Sequence, residues 1–208
     1  MTFLVSVVTR QAIVLAADTL VGTSTTSGKS YQEHDWKLFA PGGRFGVMTH
    51  GCGPGDDVPA IIEAFPLTPG TGTRRLAKAL LRKFRSYSPP PQMGLYVAGW
   101  DKALPRLLHV NVEANVITPE KVPVTRKMGV TIVPDPKSWI SPTQVFGSSG
   151  CPDGPVGEAE AVEIARKMVE IAAHMEPSIV SLPADCLIVR RDGVQWISRV
   201  KRHSKTSS

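Results

Sequence analysis

Two apolar segments at the start of the chain constrain the fold more than any other feature. Residues 3–8 and 12–17 are rich in Val, Ile and Leu, and the polar tripeptide TRQ separates them. Such residues favour strands, and two apolar runs joined by a short polar connection are typical of an antiparallel hairpin. If the hairpin is centred on Arg10, Thr2 lies opposite Asp18, about 4.5–5.5 Å away between Cβ atoms. The pattern therefore predicts that these two residues are neighbours.

The rest of the chain alternates between strand and helix patterns. Further strands are predicted near 36–39, 44–50, 93–100, 106–112, 184–190 and 194–199, and helices near 57–65, 73–86 and 158–175. The helices show apolar residues at helical spacing, and the prolines of SYSPPPQ cannot continue the second helix. Groups of strands separated by helices predict an α+β protein in which helices cover two sheets.

Composition predicts one globular domain over residues 1–200, followed by a basic, mobile tail over 201–208. A chain of 208 residues can bury about 70% of its unfolded surface, enough for a core without disulfides. The three cysteines show no paired spacing, which indicates free thiols in a reducing compartment. Because no basic region precedes the first apolar run and that run is too short to span a bilayer, the expected location is the cytoplasm, with no membrane partner.

The net charge of +6 raises the question of nucleic-acid binding. Much of the excess lies in residues 73–86 and in the terminal RVKRHSKTSS, with few aromatic residues between the cations to stack on bases. We therefore predict a solvated helix face and no nucleic-acid partner. Nucleic-acid binding stays as a third alternative, to be tested by salt-dependent retention on DNA.

Thr2 has the chemistry of a self-contained nucleophile and base if Met1 is removed, because its hydroxyl and free amine then share one residue. Lys37, in the apolar stretch WKLF, needs a compensating carboxylate, and Asp18 is the natural candidate. A cation there disfavours protonation of the amine, whose ordinary pKa is about 7.7–8.0. This chemistry needs no metal or organic cofactor, and the histidines show no metal-ligand spacing.

Six segments resemble, in order, those of proteasome-type β subunits, including the bacterial self-compartmentalising threonine peptidases. They are IVLAAD, WKLF, GVMTHG, MGLYVAGWDKALPRLLHV, VFGSSG and DCLIVRRDGVQWIS. The resemblance implies the four-layer αββα sandwich of N-terminal-nucleophile hydrolases, in which two antiparallel sheets are flanked by helices. It departs from the family in a proline-containing stretch of about thirty residues before GSSG, which is longer than the family usually needs.

The same resemblance implies a role for each matching residue. Thr2 corresponds to the nucleophile, Asp18 and Lys37 to the acid and lysine, and Gly51 to the glycine of the oxyanion hole. The remaining matches are Ser148 in the GSSG turn with Ser149 as its substitute, and Glu176 and Ser178 as the nearest candidates for the second aspartate and its serine.

These roles predict a threonine-type endopeptidase that cleaves peptides or unfolded proteins inside a ring of identical subunits. The resemblance also implies an ATP-dependent unfoldase as partner. Thr49 and Gly53 predict a small pocket that tolerates polar side chains. Two alternatives stay open: a catalytically silent ring subunit of the same fold, favoured if Met1 is retained, and an amidohydrolase acting on a small amide.

Overall fold

The structure, a computed structural model, describes residues 2–25, 28–32, 36–54, 57–119, 129–134, 156–178 and 180–200. In chain order, this part contains β1 (Phe3–Val8), β2 (Ile13–Ala17), β3 (Val21–Thr25), β4 (Gly28–Gln32), β5 (Leu38–Phe39), a 3-10 turn (Pro41–Gly43), β6 (Gly46–Gly51), α1 (Asp57–Glu63), α2 (Thr73–Arg85), β7 (Met93–Asp101), β8 (Leu104–Asn111), β9 (Val116–Pro119), β10 (Gly129–Pro134), α3 (Glu158–Met175), β11 (Asp185–Val189) and β12 (Val194–Ser198).

Two five-stranded antiparallel sheets form the centre of the molecule. The first has the strand order β10-β1-β2-β11-β12, and the second has the order β5-β6-β7-β8-β9. All residues of β1, β2 and β11 are buried, because one face of their sheet meets a helix and the other meets the second sheet. This explains why these strands are apolar throughout rather than alternating.

Three apolar layers hold the sandwich together. Between the sheets, Leu15 and Leu187 of the first sheet pack in one cluster with Met48 of the second. Helix α3 covers the outer face of the first sheet, and α1 and α2 cover the outer face of the second. The resulting order of layers is helix, sheet, sheet, helices, which confirms the predicted α+β class and four-layer sandwich.

The sequence missed the strands that are polar or rich in glycine. β3 and β4 pair only with each other, in a separate two-stranded sheet, and their residues are mainly Ser, Thr, Gly and Lys. β3 and β4 lack the apolar runs from which the other strands were predicted. β9, with four residues, and β10 lie at sheet edges. β10 (GVTIVP) is six residues long and contains apolar residues, and no strand was predicted there.

The predicted register of the first hairpin is wrong by one residue. Leu4 pairs with Ala17, so Phe3, and not Thr2, lies opposite Asp18. Thr9 causes the shift, because its N–H donates to the carbonyl oxygen of Ala12 at 2.8 Å and its hydroxyl accepts from the same residue's N–H at 2.9 Å. Residue 12 therefore belongs to the turn, and the centre of the turn moves by half a residue.

The basic segment 201–208 and Cys151 lie outside the described residues, and the single-domain boundary stays a prediction. Within the described ranges, no helix has the length and apolar character needed to cross a membrane.

Candidate active site

A buried ion pair forms the centre of the candidate site. The Lys37 ammonium lies 2.8 Å from each oxygen of the Asp18 carboxylate, and the two residues are 4% and 0% exposed. Asp18 also accepts hydrogen bonds from the backbone N–H of Phe3 at 2.8 Å and of Leu20 at 3.1 Å. Each carboxylate oxygen thus has a charged and a neutral donor, which fixes its orientation.

Burial acts on both members of the pair. It raises the pKa of the Asp18 carboxyl, and the Lys37 ammonium and two backbone N–H groups oppose that rise. It lowers the pKa of the Lys37 ammonium, against the attraction of Asp18. A buried ion pair is weak evidence for stability, and perturbed pKa values concentrate at functional sites, so the pair marks a candidate site.

Thr2 is anchored directly beside this pair. The N–H that Phe3 donates to Asp18 belongs to the peptide bond between Thr2 and Phe3, and the Asp18 N–H donates back to the Phe3 carbonyl at 3.2 Å. Thr2 itself is 8% exposed. Leu4 packs between the sheets, so strand alternation directs the Thr2 side chain towards the same space. The one-residue change of register therefore leaves Thr2 adjacent to Asp18.

Gly51 ends β6 on the side of Lys37. The Thr49 N–H donates to the Lys37 carbonyl at 2.8 Å, and strand alternation turns the Gly51 N–H to the same side. Gly51 has a φ of +83°, and a Cβ there would collide with the Gln92 carbonyl oxygen and approach the Met93 Cα to 3.1 Å. The backbone at this position requires glycine for both reasons.

Substitution of Gly51 by alanine is expected to destabilise the protein by about 1–3 kcal/mol, because it adds backbone strain and a clash. The Gly51 N–H should shift with the strand end, so any hydrolytic activity should fall as well. Gly43→Ala is the matched control, since Gly43 also has a positive φ of +62° but no atom near its Cβ position. Urea unfolding and a cleavage assay measure the two effects. Equal losses in both variants would show that only backbone strain matters.

The other residues assigned by resemblance either make no hydrogen bond to the ion pair within the described ranges or fall outside the described chain. Ser148 and Ser149 fall outside the described residues. Glu176 follows the end of α3 and is half-buried, whereas Ser178 is exposed in the next turn. Within the described ranges, neither side chain hydrogen bonds to Thr2, Asp18 or Lys37.

Sequence reasoning did not identify Ser181, which contacts the strand end that carries Asp18. Its hydroxyl lies 3.1 Å from the Thr19 hydroxyl, which also donates to the Pro183 carbonyl at 3.3 Å. Asp185 was missed as well: it is buried, pairs with Ala17, and accepts the Val200 N–H at 2.7 Å. In the sequence, the only indication of these two residues was that they are polar within the otherwise apolar stretch VSLPADCLIV.

A histidine pair lies next to Gly51 along the same strand. The Nε2 atoms of His50 and His109 are 3.3 Å apart, and the Tyr96 ring stacks on His109 at 4.6 Å between centroids. The pair lies over Gly94, where a Cβ would collide with the His50 ring. Burial and the neighbouring His50 lower the pKa of His109. The described ranges contain no cluster of three or more residues suited to a metal ion.

Comparison with known proteins supports the fold. Neither a family model nor a curated protein matches the chain. Two solved structures of Anbu from Hyphomicrobium sp. strain MC1 are similar to it. A Gly-1 mutant has a TM-score of 0.65 and 17% identity, covering 95% of this chain and 87% of that one. A second Anbu structure has a TM-score of 0.64 and 16% identity, covering 94% and 87%.

These structures correct the resemblance to proteasome-type β subunits. Anbu is a bacterial proteasome-like protein related to N-terminal-nucleophile hydrolases, but its family is distinct from that of the β subunits. The family prediction was therefore wrong, although the related fold was right. The matching segments are mostly strands and the turns that join them, and proteins of related fold share such segments even when their families differ.

Proposed function

We propose that the protein is a threonine-type N-terminal-nucleophile hydrolase that cleaves peptide bonds after removal of Met1. The proteasome-like fold is the background for this proposal, and the Asp18–Lys37 pair is the observation that carries it. This pair is fully buried, has donors on both carboxylate oxygens and holds the peptide bond of Thr2. Burial of two charges carries a desolvation cost that only their mutual attraction and hydrogen bonds oppose. Beside a hydroxy-amino acid, such a pair can activate the hydroxyl.

The proposed reaction needs only groups of this chain and water. The Thr2 hydroxyl oxygen attacks the substrate carbonyl, and its proton passes to the free Thr2 amine. The protonated amine then gives that proton to the leaving nitrogen as the C–N bond breaks, leaving an ester on Thr2. Water attacks the ester, the amine takes and returns a proton again, and the hydroxyl is restored.

Lys37 and Gly51 support this reaction without forming bonds to the substrate carbon. The Lys37 charge favours the ionised hydroxyl and disfavours a second positive charge on the amine, so the amine stays available as a base. The Gly51 N–H faces the Lys37 side of β6 and donates to the negative oxygen of the tetrahedral intermediate. Removal of such a donor typically costs about 10² to 10³ in turnover.

Substrate and assembly are part of the same proposal. A short peptide or an unfolded protein segment is the proposed substrate, and several copies of the chain form the proposed assembly. Thr49 is buried and Gly53 lies against the Val58 side chain of α1, which supports a small pocket near the end of β6. A preference for bulky aromatic side chains at the cleaved position would contradict this pocket.

The state of the N-terminus tests the proposal directly. Intact-mass measurement distinguishes protein that has lost Met1 from protein that retains it, and a fluorogenic peptide reports cleavage by each form. We expect the cleavage rate to scale with the fraction that begins at Thr2, because only that form has the amine base. Equal rates from both forms would contradict the mechanism. Hydrolysis of small amides without peptide cleavage would indicate the amidohydrolase alternative.

A further inference from the structure

The outer face of α2 carries an unusual excess of positive charge. Six of its thirteen residues are Lys or Arg and none is acidic; they are Arg74, Arg75, Lys78, Arg82, Lys83 and Arg85. All six side chains belong to exposed residues, whereas Leu76, Leu80 and Phe84 of the same helix are buried. Cations four residues apart on a helix repel one another. Arg82, Lys83 and Arg85 lie in the last turn, where the helix dipole favours positive charge, but the repulsion between neighbouring cations remains.

No carboxylate of the described chain neutralises these cations. The ion pairs in this part of the protein involve Lys37, Arg106, Arg190 and Arg199, and none includes a cation of α2. Neutralisation within the described ranges is thus limited to solvent ions. An external group with negative charge would remove the repulsion and gain several charge-assisted hydrogen bonds at once.

Half of these cations surround a groove between α2 and the hairpin of β8 and β9. The groove has a volume of about 540 Å³. Its lining includes Lys78, Arg82 and Arg85 together with Leu81, Asn115 and Ile117. Leu81 is buried and Ile117 is half-buried, so aliphatic side chains form part of the lining beside the three cations. The groove thus combines apolar surface with positive charge.

Hydrogen bonds connect the two sides of the groove and shape its hairpin side. The Arg85 guanidinium donates to the carbonyl oxygens of Val112 at 3.2 Å and Glu113 at 3.1 Å, which ties the end of α2 to the hairpin. Asn115 shapes the tip of the hairpin with a φ of +57°. Its turn is closed by a hydrogen bond from the Ala114 N–H to the Asn111 side chain at 2.9 Å. Lys78 and Arg82 belong to the lining of the groove.

We propose that the groove binds an acidic peptide segment of a protein partner. Carboxylates of the segment pair with Lys78 and Arg82, and an apolar side chain between them packs on Leu81 and Ile117. The lining favours a peptide over single-stranded nucleic acid, because it contains no aromatic ring on which a base could stack. This interaction is independent of the proposed hydrolysis and does not require it.

The test uses a fluorescein-labelled peptide of alternating Glu and Leu, with binding followed by fluorescence anisotropy at physiological salt. Lys78→Glu/Arg82→Glu should weaken binding by about tenfold or more, because it reverses two charges at the groove. Arg74→Glu/Arg75→Glu is the matched control: it changes the net charge equally on the same helix but outside the groove. The control should lose no more than about threefold. Circular dichroism shows whether both variants keep the fold.

Three results would overturn the proposal. Equal losses in the two variants would mean that net charge alone attracts the peptide. Undiminished affinity when Ser replaces every Leu of the peptide would remove the role of Leu81 and Ile117. Tighter binding of a single-stranded DNA with the same number of charges, lost in Lys78→Glu/Arg82→Glu, would assign the groove to nucleic acid instead.

Discussion

Replacement of Lys37 by methionine is expected to destabilise the protein by about 3–5 kcal/mol, because it leaves the Asp18 carboxylate buried without its charged partner. Because methionine keeps most of the side-chain volume, the decrease in the free energy of unfolding is due to the lost charge and not to a cavity. A shift of the urea midpoint with an unchanged slope measures the change in the free energy of unfolding. Hydrolysis by this variant should also fall below detection. A change of less than about 1 kcal/mol would contradict the buried pair.

Arg190→Met is the matched control for this variant. Arg190 and Glu158 also form a two-point pair, but their side chains are 32% and 29% exposed. Water screens an exposed pair, so removal of Arg190 should cost no more than about 1 kcal/mol. Comparable losses in the two variants would show that burial does not distinguish the two pairs.

The pH dependence of Lys37→Met provides a second measurement. Without the ammonium, the pKa of Asp18 should rise further above its ordinary value, since Lys37 is the main group that opposes the effect of burial. A carboxyl whose folded-state pKa is raised contributes stability below its unfolded pKa and loses that stability as pH rises through the folded pKa. The deficit relative to the parent protein should therefore be larger at about pH 7 than at about pH 4. A deficit independent of pH would exclude Asp18 as its source.

Replacement of Thr2 by alanine is expected to lower peptide cleavage by a factor on the order of 10⁴ to 10⁶, because it removes the nucleophile and keeps the amine. Thr2→Ser keeps the hydroxyl and should retain measurable activity. Both variants must first be shown by intact mass to have lost Met1, and initial rates with the fluorogenic peptide then give the ratio. Thr118→Ala is a control on an exposed residue of β9 and should leave the rate unchanged.

Rates that stay within about threefold of the parent in Thr2→Ala would exclude Thr2 as the nucleophile. Loss of cleavage in both Thr2→Ala and Thr2→Ser, with the fold intact, would show that the threonine methyl group is needed to position the hydroxyl. Only the first outcome contradicts the proposed chemistry. The urea midpoint of each variant separates loss of chemistry from loss of fold.

The sequence predicted the helices and strands well where an element is buried on one face or on both faces. The long helix was predicted at 158–175 and is found at Glu158–Met175, because its apolar residues recur at helical spacing. Asp18 and Lys37 could be paired from sequence alone, since a charged residue within an apolar stretch needs a partner. The order of strands and helices likewise predicted two sheets between helices.

The hairpin register and the positions of Ser181 and Asp185 depend on side-chain contacts and on contacts distant in sequence, which the pattern of apolar residues does not reveal. The hairpin register was missed by one residue because Thr9 closes the turn through its side chain, an interaction typical of threonine but invisible to apolar periodicity. Ser181 and Asp185 reach the site from the far end of the chain, more than 160 residues after Asp18 in sequence. Motif similarity identified a fold that several families share, and therefore did not identify the family.

The position of β1 within its sheet joins segments that are made far apart in time during synthesis. β1 pairs on one edge with β2 and on the other with β10, and β10 is synthesised more than a hundred residues after β1. Contacts this distant in sequence form slowly. The sheet beside Thr2 is therefore completed only after β10 has been made, and until then this edge of β1 is open to solvent.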